Sequence, residues 1–335
     1  ICWYRPERTV ISISGDMDPA LLEKLVVKNF SGWKETTPNP ADPDFGKPDP
    51  AKPTAGSIVE PTVPTSVSYA VLRPWRFNND TILFNQNRMV DTIATLVIDR
   101  RLEQRARAGG SFLAADVSLD DIARSVNGTF VQVIPLGDDW RAALRDVRAV
   151  IGEAERTPPT EAEIKLAVDG YDTALRTRSE TAAAEAGTAQ ADDIVGAVDI
   201  RETVASPEDS YKIFTDARDG GFFTPERVFA STKRIFQGDA TRAFVSVREP
   251  AANLPAELDT AMKAAVARTE ARRDDGPVPT FDQLPLPATV GKVVKREDIA
   301  GVGMTQVEYA NGVRLIAFPN KSESSRVYVK VRFGG

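Results

Sequence analysis

Near the front of the chain, residues 9–33 read TVISISGDMDPALLEKLVVKNFSGW. Val10, Ile11 and Ile13 are apolar, with Ser12 and Ser14 between them, a pattern that predicts a strand with one polar face. Gly15-Asp16 ends that run. Asp18 is placed to cap a helix, Pro19 sits at its first turn, and Leu21, Leu22, Leu25 and Val26 recur at helical spacing. Asn29 to Trp33 closes the helix with aromatic residues around Gly32. The layout recurs far downstream. Residues 241–247 (TRAFVSV) form a second apolar strand pattern, and Pro255 opens a helix with Leu258, Met262, Ala265 and Val266 on one face. Two strand–helix units a domain apart point to a duplicated architecture.

Between them the pattern changes repeatedly. Eight prolines between Pro38 and Pro64 exclude a helix and predict an extended linker over 34–65, with Ile58-Val59 pairing at a sheet edge. Val67, Tyr69, Val71 and Leu72 predict a strand. Asn79 or Asp80 caps a long helix to about Ala108 that Gly109-Gly110 stops. Residues 112–117 and 129–134 read as antiparallel strands with Asn127-Gly128 as the turn signal. Helices follow: one from Asp138-Asp139 through Ile151, and one opened by the capping box Thr160-Glu161-Ala162-Glu163. The alanine-rich run 181–191 either continues that helix or breaks near Gly187. Shorter helices begin at Ser206-Pro207 and Thr224-Pro225. Residues 274–298 are proline-punctuated linker. The chain closes on a hairpin pattern, with Val307 to Tyr309, the Asn311-Gly312 turn and Val313 to Phe318, then alternating Val327, Val329 and Val331.

This order predicts an α+β fold with a mainly antiparallel sheet packed against helices. It partitions the chain into the tail of one domain (1–33), a linker (34–65), one complete domain (66–273), a second linker (274–298) and the start of a third homologous domain (299–335). The chain is thus expected to be an internal portion of a longer protein.

Composition narrows the chemistry. The 335 residues are 42% hydrophobic and 27% charged, enough for a sizeable core, and the formal net charge of −6 leaves no dominant basic stripe for nucleic acid. The cluster Arg100, Arg101, Arg105 and Arg107 fits a solvated helix face. No apolar run approaches the roughly 20 residues of a membrane helix. A single cysteine, Cys2, excludes an intramolecular disulfide framework. The count that excludes most is zero histidines. A Ser-His-Asp triad, a Cys-His pair and any histidine-ligated zinc site are impossible within these residues.

The remaining candidates favour structural roles. Cys2 has no histidine to activate it. Asp120-Asp121, Asp192-Asp193 and Asp274-Asp275 lack the dense oxygen spacing of a cation loop and fit turns and caps. Glu161 and Glu163 look like paired carboxylates but belong to the capping box. Gly109-Gly110 is a substrate-contacting loop in one reading and a helix stop in the other. Tyr171 and Tyr211 with Arg176 and Arg178 line a peptide chamber in one reading and occupy ordinary helix positions in the other. No catalytic, cofactor-binding or metal-binding residue is assigned.

The segment WYRPERTVISISGDMDPALLEKLVVKNFSGW resembles the closing part of a catalytic-type domain in the insulinase/pitrilysin zinc metallopeptidases, with Trp3, Tyr4, Pro6, Gly15, Asp16, Phe30 and Trp33 at the matching places. The tail YANGVRLIAFPNKSESSRVYVKVRFGG is similar to the family's domain opening through Asn311, Gly312, Gly334 and Gly335, and LVIDRRLEQRARAGGSF resembles a helix of its inactive-type repeat. The resemblance implies metallopeptidase-like α+β domains, four per chain in two halves that close over an unfolded peptide. Zinc is held in the first domain by an H-x-x-E-H motif and a later glutamate. This sequence has no such motif, so no zinc is expected here and zinc is expected in the parent chain. The implied role is the non-catalytic central portion of a metalloendopeptidase, forming chamber wall and linker. The alternative is a binding or structural module of an inactive paralogue. Implied partners are a peptide or unfolded polypeptide and the remaining domains of the same chain. A periplasmic compartment is slightly favoured over a cytoplasmic one.

Overall fold

Alternation decides the sheet. In the computed structural model, which describes residues 3–35, 37–266, 291–319 and 328–333, Val67, Tyr69 and Val71 project to one side of strand β2 (Ser66–Pro74) and are buried. Their cross-strand neighbours Val133, Val131 and Thr129 on β4 (Val126–Pro135) point the same way, as do Val245, Ala243 and Thr241 on β5 (Ala240–Val247). With β1 (Ala55–Val59) and β3 (Phe112–Ile122) these strands form a five-stranded sheet in the order β1-β5-β2-β4-β3. Every pairing is antiparallel except β1 with β5, which is parallel.

Helices cover the apolar face. α2 (Ile82–Arg107), α3 (Trp140–Arg156) and α8 (Leu254–Lys263) pack directly on the strands. α4 (Glu161–Thr181), α6 (Pro207–Asp219) and α7 (Pro225–Ile235) build outward on α2. The core between sheet and helices gathers Ile93, Val97, Ile98 and Leu102 of α2 with Trp140, Leu144 and Val147 of α3 and Leu254 and Leu258 of α8, all essentially buried. The other face of the sheet carries Gln132, Asp116 and Phe244 and is open to solvent.

Most helix starts follow their side chains. Asp18 caps α1 (Pro19–Phe30), Asp139 caps α3, Ser206 caps α6 and Thr224 caps α7, each accepting a first-turn backbone N–H. Thr160 and Glu163 complete the expected capping box. The alanine-rich run breaks, and α5 (Gly187–Asp199) starts anew. Residues 1–271 form one compact unit. A second, 272–335, contains a three-stranded antiparallel sheet of β6 (Val293–Ile299), β7 (Met304–Tyr309) and β8 (Arg314–Ala317). Its Asn311-Gly312 turn has Gly312 at φ +85°, as the sequence predicts.

Several expectations are corrected. Residues 10–14 form no strand: Val10, Ile11 and Ile13 stay 41–53% exposed, with no described strand beside them. An apolar alternation becomes a strand only when it finds a ladder. The cap of α2 is Thr81, not Asn79 or Asp80, because the Asp80 carboxylate is engaged by the Asn85 amide and the Thr203 backbone N–H. Asn127-Gly128 lies inside β4 rather than in the turn. The turn is Ala123-Arg124, at φ 48° and 54°, with Ser125 N–H donating to Ile122 C=O at 2.9 Å. Gly128 instead makes room for a neighbour: a Cβ there would lie 2.5 Å from the Phe130 ring, which would have to shift. Residues 293–298, expected as linker, belong to β6. α8 ends at Lys263, before Ala265 and Val266. Residues 328–333 form no regular element, and Val327, Gly334 and Gly335 lie outside the described residues.

Candidate functional site

The acidic candidates are absorbed by structure. Glu163 serves two neighbours: it closes the capping box, and it takes Arg101 through two hydrogen bonds of 2.7 and 3.0 Å. Burial pushes its carboxyl up, but Arg101 and Thr160 outweigh burial and hold it below the usual glutamate range. Glu161 occupies the exposed first turn of α4. Asp121 accepts the Asn127 amide at 2.8 Å inside the β3–β4 hairpin, and Asp120 stands opposite Gly128. Asp193 pairs with Arg178 on the surface, and Asp192 is exposed beside it. Cys2, Asp274 and Asp275 lie outside the described residues.

Gly109-Gly110 is a helix stop. Gly109 takes φ +86°, and Gly110 N–H returns to the Arg105 carbonyl at 3.0 Å. A Cβ on Gly110 would lie 2.9 Å from that same oxygen. Tyr171 packs edge-on against Phe214, with ring centroids 5.2 Å apart, and joins α4 to α6. Tyr211 reaches Asp172, and Arg176 points to solvent. Arg178 is taken up by Asp193.

Three arrangements lay beyond the sequence pattern. Asp91 on α2 is buried and accepts both the Ser231 hydroxyl and the Arg234 guanidinium of α7; burial raises its carboxyl despite these partners. Asp99 on α2 accepts the Val117 backbone N–H at 2.8 Å. Burial pushes its carboxyl up to about 7. Arg5, only 2% exposed, donates to Thr37 Oγ1 at 3.0 Å and Pro38 C=O at 3.2 Å, and Arg8 binds Asn39 and Asp42 at 2.8 and 2.9 Å. Residues 5–8 are thereby fastened to 37–42. The signal was an Arg spaced among apolar residues, which charge pattern alone does not separate from a solvated one.

Among the described residues no group of three His, Cys, Asp or Glu side chains comes together to hold a metal ion. With no histidine in the chain, the residues present do not fit a zinc centre of the resembling family. No described helix is long and apolar enough to cross a membrane.

A family profile described as the peptidase M16 inactive domain matches residues 2–171. The chain belongs to this family, the insulinase-type metallopeptidases, through a domain without the catalytic motif. The fold agrees with solved structures of low identity. The periplasmic protease PqqL from Escherichia coli superposes with a TM-score of 0.56 at 14% identity, over 92% of this chain and 34% of that one. The ferredoxin protease FusC, solved in complex with Arabidopsis ferredoxin, gives 0.54 at 18% identity, over 90% and 34%. A predicted insulinase family protease from Yersinia pestis gives 0.60 at 13% identity, over 74% and 54%. The chain thus spans about a third of the length of the first two. No curated protein matches it by sequence.

Proposed function

We propose that this chain is the non-catalytic central portion of a zinc-dependent metalloendopeptidase, forming chamber wall and the linker between halves. The observation that carries the reading is the inactive-domain match over 2–171 in a chain without histidine. The exposed apolar segment 10–13 followed by α1 supports it. Its sequence repeats the pattern of β5 and α8, although 10–14 pair with no described strand, and in our reading it is the closing unit of a preceding domain. A partition into the tail of one domain (1–33), one complete domain that takes β1 (Ala55–Val59) into its sheet, and the start of a third homologous domain that includes β6 (Val293–Ile299), with linkers between them, belongs to this proposal, as does zinc held by a domain outside this chain. Substrates are peptides or unfolded polypeptides, in line with the protease neighbours. The periplasm is the favoured compartment, in line with PqqL.

The test is a peptide-cleavage assay on the product of the complete gene and on this 335-residue chain, each with and without a zinc chelator. The proposal expects chelator-sensitive cleavage by the former and none by the latter. Cleavage by the 335-residue chain alone would overturn it. An inert, peptide-binding complete product would establish the second reading, a binding module of an inactive paralogue.

A further inference from the structure

Between the helix-covered face of the sheet and the last turns of α3 and α8 lies a cavity of about 330 Å³, toward the lower end of small-molecule sites. Val71, Ile151, Phe236, Met262 and Val266 give it apolar walls. Its charged lining is two cations, Arg148 and Lys263, and two carboxylates, Glu155 and Asp259. Arg148 donates to the Ala261 carbonyl at 2.6 Å, and Lys263 is held by Asp259 at 2.6 Å. Asp259 also accepts the Thr54 hydroxyl.

The Thr241 hydroxyl, Tyr69 and Glu155 are left without a side-chain partner among the described residues. Tyr69 is 7% exposed, lines the cavity, and its hydroxyl makes no hydrogen bond among the described residues. Burial raises it well above the ordinary tyrosine range. Glu155 also lines the cavity, and its carboxyl has no hydrogen bond or ion pair among the described residues. Burial raises it, and the charge of Arg156 only partly offsets this. Glu155 sits in the last turn of α3, where the helix dipole disfavours an anion, and α8 also presents its C-terminal turn to the cavity. An unpaired carboxylate, a hydroxyl acceptor, two helix C-termini and aliphatic walls fit a cation with an apolar stem, against the opposing charge of Arg148 near Tyr69.

We propose that this cavity is a binding site for an alkylammonium group, with the ammonium on Glu155 and the Tyr69 hydroxyl and the alkyl stem against Ile151, Met262 and Val266. The site does not depend on the proposed protease role. Its occupant is either a free aliphatic amine or a lysine side chain of a polypeptide, and the two share this chemistry.

The test is nuclear magnetic resonance titration of the full chain with n-butylamine, with n-butanol as the uncharged counterpart and an acetyl-lysine-amide peptide as competitor. The proposal expects saturable butylamine binding with shifts confined to β2, α3 and α8, and at least tenfold weaker binding of butanol. Glu155→Gln is expected to weaken butylamine binding tenfold or more, and Tyr69→Phe several-fold. Met262→Trp, which fills the cavity but keeps the carboxylate, is expected to abolish it. Competition by the lysine peptide identifies a protein side chain as the occupant; its absence identifies a free amine. Equal responses to butylamine and butanol, or unaltered binding in both Glu155→Gln and Met262→Trp, would overturn the proposal.

Discussion

Residues 9–30 and 240–263 carry the same pattern, an apolar alternation followed by a proline-opened amphipathic helix, and meet opposite fates. In the second, β5 enters the sheet between β1 and β2, Val245 and Leu258 are fully buried, and α8 seals the edge. In the first, the alternation pairs with no described strand, and α1 buries none of its residues. α1 still forms, because the Asp18 cap and helical spacing act locally. A strand is a property of two segments, a helix largely of one. The same pattern therefore yields a core element where partners exist and a solvent-facing one where they do not.

That comparison can be broken by paired substitutions. The largest expected effect is Val245→Asp, which places a charge in the middle of the sheet's buried face. It is expected to cost on the order of 4 kcal/mol or more and to abolish cooperative unfolding of the unit spanning 1–271 in urea. The matching Ile13→Asp is expected to shift stability by no more than about 0.5 kcal/mol. A comparable loss for both would mean that 9–14 is part of the core. Next is Leu258→Ala on α8, expected to cost about 2–5 kcal/mol through transfer and cavity terms. Leu25→Ala on exposed α1 should leave the same urea midpoint almost unchanged.

A smaller effect comes from pH. Asp99 is held protonated up to about pH 7 in the folded chain, whereas an unfolded aspartate releases its proton near pH 3.9. The folded state therefore binds the extra proton between these values, and stability falls as pH rises through the window. Asp99→Asn should flatten that part of the stability curve. An unchanged slope would remove Asp99 as its source. The smallest is Thr160→Ala, expected to cost about 1 kcal/mol through loss of the capping box.

Sequence made the helices and their starts legible, because Asp18, Asp139, Thr160, Ser206 and Thr224 act within one turn of themselves. It also made most of the sheet legible, since Val67, Tyr69, Val131 and Val133 alternate in register. What it missed was non-local or unmarked. Ala123-Arg124 carries no turn chemistry, and its positive φ is imposed by the hairpin register around it. β6, VVKREDI, is exposed throughout and shows no alternation. Glu155 carries no mark in the sequence, and Tyr69 reads only as part of a strand. Only the packing of α3 over β2 puts them on one cavity.

One pattern is integrated into the core and its twin is not. Amide hydrogen exchange on the 335-residue chain tests this difference most directly. Amides of 243–247 in β5 are expected to exchange only through global unfolding, and those of 10–14 near the rate of an unstructured peptide. Equal protection of the two segments would contradict it.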